Sequence, residues 1–267
     1  MAVLFAVRYR CAYWLGGLLA RARYTRTRRI EREGEIVYEK HRPWWRAPLI
    51  VAGNVYLWMS RSGTRVLEAR GWEKRECAMH ALLYHRDVQC DARGRIVIPA
   101  LPGRPLAQVL ASARTHTATK LEMVAAAVAA LQEFHKLPVD AESPGTASHS
   151  HGDATIFNVL VDEQAKTACW IDFDMAHDER LPREWRRADD LRALIYSAAM
   201  YFERQELSRL VETVVQSLDD PATLRALREA IEFWRRRPNA FHLAQARLER
   251  SQREHLDTQL AQDLPGN

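Results

Sequence analysis

At 267 residues, with 47% apolar and 27% charged side chains, the chain is long enough and mixed enough for one large domain or two lobes around a substantial core. That composition excludes a disordered or fibrous chain. The formal charge of +5 rests almost wholly on arginine, because only Lys40, Lys74, Lys120, Lys136 and Lys166 are lysines; it suits anionic partners such as a nucleotide, a phospholipid or a phosphorylated sugar and does not by itself point to nucleic acid.

The first 20 residues are apolar but carry Arg8 and Arg10, and the clean run from Cys11 to Ala20 is too short to span a bilayer. No signal peptide is expected. Arg21, Arg23, Arg26, Arg28 and Arg29 follow, with Trp14 and Tyr24 nearby. This composition can rest on an anionic membrane surface, on the inner face of the cytoplasmic membrane. An ordinary helix or strand with solvated arginines is the preferred reading. Cys11, Cys77, Cys90 and Cys169 are scattered without a Cys-x-x-Cys, which predicts reduced thiols in a cytoplasmic protein.

Residues 27–40 read as a hairpin turning at Gly34 and ending in Lys40, and residues 41–48 as a Pro-broken loop. Residues 54–59 form a short apolar segment of open type. Residues 72–86 predict a helix with Ala78, Ala81 and Leu82 on one face and Glu73, Arg75 and Glu76 in its first part. Ile96-Val97-Ile98 predicts a strand running into Pro99-Ala100-Leu101-Pro102-Gly103, a linker composition. Residues 119–134 form an amphipathic, Ala-rich helix with Leu121, Val124, Val128 and Leu131 at helical spacing, and His135 at its end suits capping or packing. Four more helices are expected over residues 184–202, 206–218, 221–236 and 241–262.

Chemistry concentrates in His151-Gly152-Asp153-Ala154-Thr155-Ile156-Phe157-Asn158 and in Ile171-Asp172-Phe173-Asp174. A strand pattern at Val159-Leu160-Val161-Asp162 and an apolar run at Ala168-Cys169-Trp170-Ile171 put a hairpin between them. Asp-x-x-x-x-Asn, hairpin, Asp is the layout of a kinase catalytic loop and its metal-binding Asp; in protein kinases the motifs read His-Arg-Asp and Asp-Phe-Gly. Phosphoryl transfer needs one carboxylate to orient the attacking hydroxyl and accept its proton, the role that fits Asp153. It needs an amide oxygen and a second carboxylate to hold Mg²⁺ against the phosphates of ATP, the role that fits Asn158 and Asp172. Lys40 is the candidate anchor for the nucleotide phosphates, with Glu76 as its partner and Glu73 in reserve. His149 and His151 lack further ligands at metal spacing, so His151 is expected to brace the loop. Asp189 and Asp190 open the next helix, and one of them is expected to accept backbone amides of the catalytic loop.

Three stretches resemble the lipopolysaccharide kinases, in particular the Kdo kinases, within the wider group that includes the RIO-like kinases. They are Lys40-His41-Arg42-Pro43-Trp44 with Asn54-Val55-Tyr56-Leu57-Trp58 and Arg75-Glu76; His151-Gly152-Asp153 with Asn158; and Trp170-Ile171-Asp172-Phe173-Asp174 with Arg180-Leu181-Pro182 and Trp185. The likeness covers roughly residues 40–194, and no clear Gly-rich phosphate loop precedes Lys40. The resemblance implies an α+β, bilobal protein-kinase-like fold, with a small antiparallel-sheet N-lobe over residues 1–100 and a mainly helical C-lobe over residues 101–267. The backbone around Pro99 and Leu101 would then contact adenine. It implies an ATP- and Mg²⁺-dependent kinase acting on a hydroxyl of a sugar or glycolipid, such as the Kdo or heptose of the lipopolysaccharide inner core. Thr155 stands where Ser/Thr protein kinases commonly carry Lys, and only fifteen residues separate Phe173 from Asp189, little chain for docking a peptide. Both features disfavour a protein substrate. An aminoglycoside-type phosphotransferase, a RIO-like Ser/Thr kinase and an inactive kinase-like binding module are the alternatives.

Overall fold

The computed structural model describes residues 24–59, 62–86, 88–91, 94–137, 149–236 and 248–264. The segment 1–20 and the start of the helix expected over 241–262 lie outside these residues. The chain is α+β, with helices more abundant than strands.

The N-terminal hairpin forms as its alternation predicts: β1 (Arg26–Arg32) pairs antiparallel with β2 (Glu35–His41) across a turn in which Gly34 has positive φ. Where a loop and an open segment were expected, the chain makes a 3-10 turn (Trp44–Arg46) and a full helix, α1 (Ala47–Met59). The sequence hides α1 because it is apolar on every side, so no 3.6-residue alternation marks it. A short strand, β3 (Thr64–Val66), leads to α2 (Ala69–Tyr84), and β4 (Gln89–Cys90) and β5 (Arg95–Pro99) complete a four-stranded sheet in the order β1-β2-β5-β4.

Residues 100–103 carry the chain to β6 (Arg104–Pro105), which pairs with β7 (Val159–Asp162) in a second sheet of order β6-β7-β8, where β8 is Thr167–Trp170. β9 (Met175–His177) returns to pair with β3. The remainder is helical: α3 (Leu106–Ala111), α4 (Thr117–Lys136), α5 (Arg183–Ala199), α6 (Leu207–Gln216), α7 (Pro221–Arg236) and α8 (Arg250–Asp263). The expected helix over 184–202 stops at Ala199, where Tyr201 and Phe202 donate into a closing turn.

The largest core gathers the faces those periodicities define. Val124, Val128 and Leu131 of α4 meet Leu191, Leu194 and Ile195 of α5, Leu210 and Val214 of α6, Leu227 of α7 and Leu256 of α8, all fully or almost fully buried. Each such side chain contributes about 1.5–3 kcal/mol by leaving water. Smaller clusters sit under the first sheet (Trp72, Ile96, Ile98) and beneath α1 (Ile50, Tyr56, Leu57, Val66, Met175).

The connection between the sheets depends on Gly103. Its φ is +95°, and a Cβ there would lie 2.6 Å from the Val161 carbonyl oxygen, which belongs to strand backbone and cannot move aside. Gly103→Ala is therefore expected to destabilise the protein by about 1–3 kcal/mol. Urea denaturation checks this; a stability equal to wild type would show that the 100–103 turn can be rebuilt at no cost.

Candidate functional site

Lys40 and Ile96 are register partners, as are Tyr38 and Ile98. Side chains of such pairs share a face, and Ile96 and Ile98 pack on Trp72 of α2. The pleat thus carries the Lys40 ammonium under the sheet, onto α2. There Nζ lies 2.5 Å from Glu76 Oε1 and 3.1 Å from Asp172 Oδ1. Glu76 is wholly buried, and its Oε2 accepts a 2.9 Å bond from the Phe173 amide. Burial alone would neutralise both groups. The ion pair wins: Glu76 is held down at about 2 against burial, chiefly by the Lys40 charge, and Lys40 is held above its ordinary value against burial by Asp172 and Glu76.

Asp172 has φ +67° and a side chain 38% exposed; Asp174, two residues on, is 18% exposed at its side chain. One carboxylate oxygen from each of Glu76, Asp172 and Asp174 falls within 4.8 Å of the others. Asp174 is buttressed by Arg42 at 2.8 Å and by the Thr25 hydroxyl, which donates to both of its oxygens. Arg42 in turn lies 4.7 Å from the centre of the Trp72 ring and donates to the Leu67 carbonyl. Burial, reinforced by the Asp172 charge, raises the Asp174 carboxyl to about 7. All-oxygen donors of this kind suit a hard divalent cation such as Mg²⁺.

The loop carrying Asp153 is tied at both ends. Asp190, near the middle of α5, accepts the amides of His151 (2.7 Å) and Gly152 (2.9 Å) and a 2.9 Å bond with His135 Nε2. These donors keep Asp190 ionised in spite of its burial. His151 is wholly buried; its Nδ1 accepts the Asp153 amide at 3.3 Å and its Nε2 lies 3.0 Å from the Ile171 carbonyl. That pattern fixes the neutral Nε2–H tautomer, and burial lowers its pKa to about 4. Gly152 has φ +84°, and a Cβ on it would meet the backbone carbon of Met175 at 2.9 Å, so no side chain has room here.

The Asn158 amide nitrogen donates to the Asp153 carbonyl (2.8 Å) and to Asp153 Oδ2 (2.9 Å). Its own carbonyl accepts the Ile171 amide at 2.8 Å, which brings Asn158 beside the residue preceding Asp172. The β7–β8 hairpin sets this spacing through the Val159–Trp170 pair. Behind the loop, Arg75 donates to the Ser150 carbonyl at 2.6 Å, and His177 bridges Ser150 Oγ (2.9 Å) and Asp189 Oδ2 (3.1 Å), with Arg192 on the far side of Asp189. Ser150–His177–Asp189 has the connectivity of a hydrolytic triad, but all three are buried. They pack the loop against α5.

Of the residues singled out from sequence, Lys40, Glu76 and Asp172 meet directly, and Asp153 bonds Asn158. Glu76, rather than Glu73, takes Lys40; Asp190, rather than Asp189, holds the loop amides. Pro99 ends β5 opposite Val37, and Leu101 follows half-buried in the connection. Asp172 shares its carboxylate neighbourhood with Asp174 and Glu76, a group that the pairing of Asn158 with Asp172 does not include. The sequence motifs contain Asp174, Arg42 and Arg75 but assigned none of them a site role, and Thr25 and His177 were not singled out. The repeat of Asp in Ile-Asp-Phe-Asp was the one available signal for Asp174. No family model matches the chain, and no curated protein sequence does so.

Because His151 titrates near its ordinary value of about 6.5 when unfolded and about 4 when folded, the unfolded chain takes up its proton first. Stability is therefore expected to fall as pH drops from about 6.5 to about 4, by about 3 kcal/mol from this residue. Urea midpoints across that range should show a slope that His151→Gln flattens. A slope unchanged by the substitution would mean His151 is already protonated in the fold.

Proposed function

We infer that the chain is an ATP- and Mg²⁺-dependent phosphotransferase of two-lobed, protein-kinase-like build, whose acceptor is a hydroxyl of a sugar or glycolipid, with the lipopolysaccharide inner core as the leading candidate. The observation that carries the reading is the buried Lys40–Glu76 pair set 3.1 Å from Asp172, with the Asp153–Asn158 loop bonded to the same segment through Ile171. A buried ion pair of this kind is a poor source of stability, because desolvation consumes most of its attraction. Its presence is better accounted for by a task, which is to hold an ammonium rigidly where phosphate oxygens would lie.

On this reading residues 24–99 cover the nucleotide and the backbone near Pro99 and Leu101 meets adenine. Asp172, with Asn158, Asp174 or both, would hold Mg²⁺, which when bound neutralises charge on the phosphates. Lys40 binds and orients phosphate oxygens. Asp153 positions the acceptor hydroxyl. As the new bond from hydroxyl oxygen to γ-phosphorus forms and the bond to the β,γ-bridging oxygen breaks, the hydroxyl proton passes late to the Asp153 carboxylate and ADP leaves. The Asn158 amide at 2.9 Å fixes that carboxylate's rotamer, so orientation is set before substrate arrives.

The direct experiment is transfer of labelled γ-phosphate from ATP to Kdo-bearing lipid A precursors, with aminoglycosides as the competing acceptor class. Asp153→Asn keeps shape and removes the proton acceptor; turnover is expected to fall about 10²–10⁴-fold with ATP affinity nearly unchanged. Loss of ATP affinity in that variant would recast Asp153 as a structural residue or metal ligand, and full turnover would remove the phosphotransfer reading.

The anchor is tested separately. Lys40→Ala and Glu76→Ala should each lower turnover, and the double variant should lose much less than the sum of the two, because the groups act as one. Strict additivity of the two losses in a double-mutant cycle would separate them.

A further inference from the structure

Helix α1 turns an unusual face to solvent. Every residue of α1 that is exposed is apolar, and Val51, Val55, Trp58 and Met59 follow helical spacing along its outer side. Trp58 is 80% exposed at one end of the helix, and Trp44, 86% exposed, stands just before the other. A soluble protein buries such a face, and an apolar patch left open marks a contact surface.

The charges around it are unevenly placed. At the N-terminal end of α1, the guanidinium groups of Arg26 and Arg46 lie 5.6 and 4.9 Å from the centre of the Trp45 ring. Arg28 is exposed toward the same end of the β1–β2 hairpin, where Arg26 pairs with His41 and Arg28 with Glu39, whereas Glu31, Glu33 and Glu35 sit with Arg32 at its opposite, turn end. At the C-terminal end of α1 the nearby Arg65 and Arg180 are neutralised by Glu179 and Asp178. The result is an apolar ridge of 13 residues, about 20 Å long, with tryptophans at both ends and a cluster of arginines at one. No helix among the described residues is long and apolar enough to cross a membrane.

We propose that the outer face of α1, with Trp44, Trp45 and the Arg26/Arg46 cluster, is a docking surface for an anionic phospholipid bilayer, on which α1 lies in the interfacial plane. Indole rings partition to the headgroup level, the aliphatic side chains enter the acyl boundary, and the arginines face lipid phosphates. A second copy of this chain packed antiparallel along α1 is the competing occupant; it would leave the arginine cluster facing no anion, whereas a phospholipid surface supplies phosphates to it. The inference uses none of the groups assigned to phosphotransfer and stands apart from that reading. A cleft of about 960 Å³, lined among others by Trp58, Met59, Thr64 and Leu181, opens at the C-terminal end of the same face. β9, which forms part of the floor beneath α1, directly follows Asp174.

The test is co-sedimentation of the full chain with sucrose-loaded vesicles of phosphatidylcholine, with and without phosphatidylglycerol, alongside light scattering without lipid. Wild type should partition to the anionic vesicles and bind neutral ones at least about tenfold less, with added salt weakening the difference. Val55→Asp and Trp58→Ser should each lower the partition coefficient about tenfold or more while leaving thermal stability in place, because both side chains are exposed. Trp44→Ser, outside the helix, gives the same readout if a helix variant fails to fold. Wild type remaining in the supernatant with anionic vesicles overturns the proposal. So does binding that all three variants retain in full, which places the lipid contact elsewhere, or a dimer that Val55→Asp dissolves, which seats a second copy on this face.

Discussion

A single buried carboxylate, Glu76, joins three parts of the chain that are far apart in sequence. One oxygen takes the ammonium of Lys40 from β2, and the other takes the backbone amide of Phe173. Glu76 itself belongs to α2. Burying an unpaired carboxylate would cost several kcal/mol, so neither partner can leave without the other elements shifting. The strand, the helix and the 172–174 segment are in this way held in one arrangement by the cost of the alternatives. Phe173 contributes from the apolar side, packing among His80, Phe134 and His151.

Asp190 plays the corresponding part for the Asp153 loop. It sits on α5, whose Ala188, Leu191, Leu194 and Ile195 are packed into the main core, so the loop inherits the rigidity of the helix. The two anchors communicate through short covalent and hydrogen-bonded distances. His151 spans from the Asp190-bound backbone to the Ile171 carbonyl, one residue before Asp172. The neutral imidazole is required by that role, since a protonated ring could not accept the Asp153 amide. Positioning residues therefore outnumber the groups that would touch a substrate, as expected where orientation has to be fixed in advance of binding.

Much of this was legible in the sequence, for identifiable reasons. Lys40, Glu76, Asp153, Asn158 and Asp172 could be named because residue type and spacing coincided with a strand end, a helix start and a hairpin. Helices such as α4 declared themselves through a one-sided apolar stripe. α1 did not, because a helix apolar on all sides carries no period to detect, and the property that concealed it is the one that makes its surface notable. The support of Asp174 by Arg42 and Thr25 was also invisible, since those contacts cross 132 and 149 positions of sequence and no local pattern encodes them. His177 reads as a lone histidine until β9 places it between Ser150 and Asp189.

The balance of charge at the centre bears on what can bind there. Glu76, Asp172 and Asp174 bring three carboxylates together, and Lys40 and Arg42 supply two cations. The surplus negative charge is felt by Asp174, whose carboxyl is driven to about 7 with Asp172 a principal cause after burial. A bare nucleotide entering such a site would meet Glu76 and Asp172 already claiming the Lys40 ammonium. On the phosphotransfer reading, Asp172 and Asp174 would hold a divalent cation, whose charge would offset their repulsion and leave Lys40 free to share its charge with phosphate oxygens. If the phosphotransfer reading holds, metal and nucleotide therefore have to bind as linked partners, with the acidic surplus making each the condition for the other.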